Sequence, residues 1–245
     1  MRGPFEKKLT FMHTGHIGDI VAFLPVFKGL SGTTIVVRDE VWMAPMSGYK
    51  YNSLKPLLES QGIEVLWNDG RYGVDYDLSG WRECYEHHVS LTDCQARFIN
   101  YVPRGHGHVE ITDAWLKVDA DPLTKERAIF NRTHRYRNPN FPWKPVYDHF
   151  GDKAIFIGTE DEHQNFEHEV GKIEYYKTES CLDVAMAIEG ADFFVGNQSS
   201  SFWIAAGLRK PLIQEMDQVV TNSIVPYEGA RYPRDCKIDF DAIPK

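Results

Sequence analysis

The sequence predicts an α/β protein of two lobes, each a parallel sheet covered by helices, and three observations predict it. Short runs of β-branched and aromatic residues alternate with stretches of helical periodicity, the pattern of βα units. The alternation comes as two consecutive series, divided near residues 118–125, where Asp119-Ala120-Asp121-Pro122 marks the best hinge. Loops rich in glycine and small polar residues follow several strands. Ligands of such sheets sit beyond the carboxyl ends of the strands, so those loops are where function is sought.

The first series opens with a strand over 8–14, a loop over 15–19 and a helix over 20–30. A second strand covers 33–39, where Thr33, Thr34, Ile35, Val36 and Val37 supply the β-branched run. A helix over 53–61 stops at Gly62, and a strand follows at 63–67. Periodicity fades over 69–82, where Gly, Asp and Tyr dominate. A helix over 92–101, with Thr92 as its candidate cap, leads into loop at 103–108. This series makes an N-terminal lobe of residues 1–120. The C-terminal lobe, 121–245, reads as strands at 128–133, 153–159, 173–177, 193–195 and 211–214. Its helices fall at 160–170, 180–189 and 199–208.

Composition narrows the class. At 245 residues, 42% of them apolar and 25% charged, the chain can bury a sizeable core. No apolar run approaches the ~20 residues of a membrane-spanning helix. The stretch Met1-Arg2-Gly3-Pro4-Phe5-Glu6 is too polar for a secretory signal. Cys84, Cys94, Cys181 and Cys236 form no C-x-x-C pair and read as free thiols, which points to a cytoplasmic protein. A formal charge of -8 argues against broad nucleic-acid binding, which needs a basic face. His87-His88 and His106-Gly107-His108 lack the spacing of a metal site, so no metal and no cofactor is expected.

Four loops carry candidate chemistry. In the first, Gly15-His16-Ile17-Gly18, the two glycines let the backbone turn sharply ahead of Asp19, which either caps the coming helix or acts as a general base. The second, Asn197-Gln198-Ser199-Ser200-Ser201, leads from a strand into a helix whose free N–H groups and serine hydroxyls suit a diphosphate; a plain serine cap is the other reading. The third is Arg132-Thr133-His134-Arg135-Tyr136-Arg137, either a phosphate clamp or a solvated charge run. The fourth runs from Gly158 through Glu160 and Asp161 to Glu162. Its carboxylates complement a helix N-terminus, and one of them is a candidate partner for a ribose hydroxyl.

Together these loops resemble the family 9 glycosyltransferases, the heptosyltransferase group. The stretch Gly15-His16-Ile17-Gly18-Asp19-Ile20-Val21-Ala22-Phe23-Leu24-Pro25 resembles that family's N-terminal signature, and Asp19 falls on its proposed catalytic base. Residues 154–216 resemble its donor-binding half: Gly158 to Glu162, then Lys177-Thr178-Glu179-Ser180-Cys181-Leu182, then Gly196 to Ser200 ahead of Ala205-Ala206-Gly207-Leu208. The resemblance implies a GT-B-like fold of two Rossmann-like lobes, truncated because the chain is about 100 residues shorter than a typical member. It implies a metal-independent, inverting transfer of a sugar from a nucleotide sugar, the one partner it names, to an acceptor hydroxyl it does not identify. The departures are Gln198, where the family has aspartate, and Trp203, where it has histidine. Two rivals follow from them: a nucleotide-sugar-binding module without turnover, and a sugar-nucleotide epimerase or hydrolase on the same fold.

Overall fold

Every strand pairing in the computed structural model, which describes residues 8–38, 48–68 and 70–243, is parallel. The expected end of the second strand at Asp39 lies outside those residues, as does Asp69. The chain divides into two units, Met1–Glu86 with Leu91–Glu110, and Ile111–Lys245 with His87–Ser90.

In the first unit, β1 (Leu9–His13), β2 (Gly32–Val37), β3 (Glu64–Trp67) and β4 (Tyr76–Asp77) form a sheet of order β3-β2-β1-β4. Helices α1 (Ile17–Gly29), α2 (Gly48–Ser60) and α3 (Leu91–Phe98) complete it. Phe11 of central β1 is fully buried, 5.6 Å from the Phe23 ring, 5.1 Å from Phe27 and stacked on Tyr76 at 4.9 Å. Phe23 and Phe27 stand four residues apart, so one face of α1 carries both onto the sheet. The helix begins at Ile17, three residues ahead of the expected start, which moves Asp19 inside the first turn.

The second unit carries β5 (Ala128–Asn131), β6 (Ala154–Phe156), β7 (Glu174–Tyr175), β8 (Phe193–Asn197), β9 (Leu212–Glu215) and β10 (Ala230–Arg231) in the order β10-β9-β8-β5-β6-β7. Its helices are α4 (Trp143–Phe150), α5 (Glu160–Glu169), α6 (Cys181–Gly190) and α7 (Ser200–Gly207). Helix α4 is not expected from the sequence, because Pro142 and Pro145 mask its start. Its Trp143 and Phe150 join Phe130, Phe156, Phe166 and Phe193 in an aromatic core. Edge-on contacts recur there, such as Phe130 against Phe166 at 5.9 Å, the geometry that ring quadrupoles favour.

The segment expected to be a hinge is tied to this unit. Trp115 and Leu116 both donate their backbone N–H to the Gly207 carbonyl, at 3.0 and 3.1 Å. Asp121 N–H reaches the Met186 carbonyl at 2.9 Å, and the Thr124 hydroxyl reaches that of Ala187 at 2.8 Å. Residues 111–120, expected in the N-terminal lobe, group with the second unit. No helix among the described residues is long and apolar enough to cross a membrane.

Candidate functional site

In the first unit the turn from β1 to α1 concentrates polar groups where the sheet would otherwise be apolar. Asp19, the third residue of α1, is buried, and its Oδ2 accepts the backbone N–H of His16 at 2.8 Å. Asp19 is therefore not the N-cap; it reaches back to the N-cap residue from the first turn. The same oxygen takes an Arg82 Nη2–H, also at 2.8 Å, and the Arg82 guanidinium lies 4.5 Å from the Trp81 ring centre. Gly15 has no room for a side chain: a Cβ there would stand 2.6 Å from the His13 ring and 2.7 Å from Asp19 Cβ. Gly18 lies within α1.

His13, at the end of β1, is buried and bonded on both ring nitrogens. Its Nδ1 accepts Gly15 N–H at 2.9 Å, and Nε2 lies 2.5 Å from Gln95 Oε1. Burial pushes its pKa down to about 4, against the opposing pull of the Gln95 bond and the Asp19 charge. Sequence reasoning picked out the glycines and Asp19 but missed His13, Arg82 and Gln95. The last two stand 63 and 82 residues from their partners Asp19 and His13.

In the second unit the expected residues gather at the carboxyl ends of β5, β6 and β8. Asn197, fully buried, ties the loop after β5 to the end of β8: its Oδ1 accepts Thr133 N–H at 2.9 Å, and its Nδ2 donates to the Arg135 carbonyl at 2.6 Å. Ser199 caps α7, accepting Phe202 N–H at 3.2 Å and donating to Asn131 Oδ1 at 2.8 Å. Asn131 also donates to the Ile157 carbonyl at 2.9 Å, which links α7 to the exit of β6. The amides of Ser200 and Ser201, in the first turn, have no partner within the helix. The first turn of α7 holds no acidic residue, whereas α5 carries Glu160, Asp161 and Glu162 there and α6 carries Asp183. Of these three helix starts, α7 is the one that favours an anion.

Most of the other expected residues have structural work. Arg132 is buried: it donates to Glu215 through Nε and Nη2, both at 3.1 Å, and to Glu169 through Nη1. Its fork is occupied by carboxylates. Arg137 donates to Glu169 at 2.9 Å and Asn165 at 2.6 Å. Arg135 is exposed on the loop, its guanidinium 5.4 Å from the Tyr136 ring centre. Gly158 adopts φ +145, and a Cβ there would stand 2.8 Å from Glu162 Oε2. That Glu162 oxygen accepts Thr159 N–H at 2.9 Å, so the carboxylate closes a capping box. Gln198 is buried and donates to Asn222, and Trp203 is buried against Phe202.

Among the described residues no group of three or more His, Cys, Asp or Glu is placed to hold a metal ion. Asp-x-Asp spacing, whose supposed absence also argued against a metal, does occur in the sequence, at Asp119-Ala120-Asp121 and Asp239-Phe240-Asp241, so that part of the expectation is corrected. In these, Asp121 accepts Leu123 N–H and the Tyr176 hydroxyl, and Asp239 accepts Asp241 N–H.

Two parallel-sheet units with polar loops after their strands fit a GT-B-like fold, and comparison with solved structures agrees on the fold. The chain is similar to a family 9 glycosyl transferase from Veillonella parvula, with a TM-score of 0.61 and 12% identity over 92% of this chain and 85% of that one. It is also similar to TibC, a dodecameric iron-containing heptosyltransferase solved with ADP-D-β-D-heptose, with a TM-score of 0.57 and 15% identity over 94% of this chain and 66% of TibC. E. coli ADP-heptose LPS heptosyltransferase II matches with a TM-score of 0.50 and 13% identity, over 92% and 89% of the two chains. No family model and no curated protein matches the sequence.

Proposed function

We propose that this chain is a glycosyltransferase that moves a sugar from a nucleotide diphosphate donor to an acceptor hydroxyl, with inversion and without a metal. The observation that carries the proposal is the buried Asp19 carboxylate. Both of its donors among the described residues fall on Oδ2, which leaves Oδ1 to take a proton. In the reaction Asp19 removes the acceptor hydroxyl proton as the acceptor oxygen bonds to the anomeric carbon. The bond from that carbon to the diphosphate breaks, and its electron pair leaves with the diphosphate. The start of α7, with Ser199 and Ser200, receives the diphosphate and stabilises the charge it gains. Arg135 is the exposed guanidinium on the neighbouring loop and supplies a phosphate contact. The solved structures with this fold support the reading, and one of them holds ADP-heptose.

A donor-binding protein without turnover is the second reading. It is favoured by Gln198, which is turned to Asn222, and by Trp203, which is buried where the family carries histidine. A panel of nucleotide sugars tests both, first by thermal shift and then by product analysis with acceptor saccharides. A selective rise in melting temperature followed by transfer with inverted configuration supports the enzyme. Stabilisation without any product supports the binding protein, and no stabilisation by any nucleotide sugar defeats both.

A further inference from the structure

We infer that His13 and Gln95 form a buried brace that holds the turn from Gly15 to Asp19 in shape and so aims the Asp19 carboxylate. Both are positioning residues, and the inference rests on the reading of Asp19 as the base. Gln95, on α3, is fully buried and spends its whole side chain on this task. Its Nε2 donates to the Asp19 carbonyl at 3.0 Å and the Leu91 carbonyl at 3.1 Å. Two carbonyl partners fix which end of the amide is nitrogen, because the flipped amide would set oxygen against oxygen. Oε1 therefore faces His13 as an acceptor, and His13 Nε2 must carry a hydrogen. On the other side of the ring, Gly15 N–H points at Nδ1, so Nδ1 must be bare. The partners independently impose one neutral tautomer.

The chain of contacts runs from α3 through the imidazole to the turn, and separately from α3 to the Asp19 backbone. Gly15, pressed between the His13 ring and Asp19, has no slack to absorb a shift of either. The charged groups acting on the ring are Asp19 and Arg82, and the Phe23 ring packs 5.8 Å from it. A proton on Nδ1 would set two donors against each other across the 2.9 Å contact with Gly15. The brace therefore works only while the imidazole is neutral.

The test uses the full chain with His13→Leu and His13→Asn. Leucine fills much of the ring's volume but leaves Gly15 N–H without an acceptor; asparagine restores an acceptor oxygen near the Nδ1 position. Hydrogen exchange at the Gly15 amide is read first, by nitrogen-edited NMR, and transfer kinetics second. Exchange is expected to speed up by about tenfold or more in His13→Leu and to recover in part in His13→Asn. Transfer kcat is expected to fall by about tenfold in His13→Leu while the donor KM stays within about twofold, since misaiming a base costs rate rather than donor binding. Unchanged Gly15 exchange, or a folded His13→Leu with unchanged kcat, overturns the brace. If His13→Leu does not fold, Gln95→Leu is read in the same two ways. A wild-type chain that transfers no sugar defeats the enzyme reading, and Gly15 exchange then decides the brace by itself.

Discussion

Arg132 and Glu215 form a buried two-point ion pair, Nε to Oε2 and Nη2 to Oε1, each at 3.1 Å. Glu215 ends β9 and Arg132 directly follows β5, so the pair spans the carboxyl end of β8, which lies between those strands. Glu215 also accepts Asn138 N–H at 2.8 Å, and the Arg132 guanidinium lies 5.2 Å from the Trp143 ring centre. This arginine anchors the loop that carries Arg135.

Arg132→Ala is therefore expected to destabilise the protein by about 3–5 kcal/mol, because it leaves the Glu215 carboxylate buried without its partner. Denaturant melts at neutral pH would measure it. A loss below about 1 kcal/mol would mean that water or another cation replaces the guanidinium at little cost.

Arg135 should behave in the opposite way. Its side chain is exposed, so Arg135→Ala is expected to leave stability within about 0.5 kcal/mol. Calorimetric titration should then show weaker binding of a nucleoside diphosphate with nucleoside binding unchanged. Equal losses for both ligands would remove Arg135 from the phosphate site.

Ser199→Ala removes both the α7 cap and the bond to Asn131. A stability loss of about 1 kcal/mol is expected from the cap. Diphosphate affinity should fall along with it, since the free amides of Ser200 and Ser201 lose their fixed direction. Ser199→Thr keeps the hydroxyl and should retain both properties.

His13 makes a pH prediction. Its pKa in the folded chain is pushed down to about 4 from an ordinary 6.5, chiefly by burial. The unfolded chain therefore binds more protons between those values, and stability rises with pH across that window. The contribution is fully present above about pH 6.5 and is lost as pH falls towards 4; at most it amounts to about 3 kcal/mol. Unfolding free energies at pH 4.5, 5.5 and 7 should show this slope in the wild type and a shallower one in His13→Asn. Parallel slopes in the two proteins would sink the assignment.

The fold was legible where runs were long and β-branched, as in Thr34, Ile35, Val36 and Val37 of β2. Short elements without an apolar run were illegible: β4 and β10 hold two residues each, whereas the equally short β7 was found within the run at 173–177. Asp19 could be read because glycines flag its turn. The Arg132 pairing could not, because Glu215 lies 83 residues away and charged residues are ordinarily solvated. A similar distance in sequence, 82 residues, hid Gln95 from His13, leaving the support of the turn invisible while its tip was plain.

Asp19 carries the sharpest prediction. Its Oδ2 accepts His16 N–H and the Arg82 guanidinium, so the side chain has a structural task whatever its chemistry. Asparagine keeps an oxygen for His16 N–H but gives up the ion pair. Because the Arg82 side chain is 31% exposed, that loss is modest, and Asp19→Asn is expected to cost about 1 kcal/mol of stability. The carboxylate's ability to accept a proton is gone entirely. Turnover should fall by roughly 10²-fold or more, with the melting shift given by the bound nucleotide sugar unchanged. A merely structural aspartate gives a different result: reduced stability, near-normal transfer per folded molecule, and full rescue on cooling. Arg82→Gln separates the two further. It removes the ion pair but spares the carboxylate, so a base reading expects a smaller rate loss than in Asp19→Asn, whereas a structural reading expects the two variants to match. Near-normal transfer by Asp19→Asn would take Asp19 out of the mechanism.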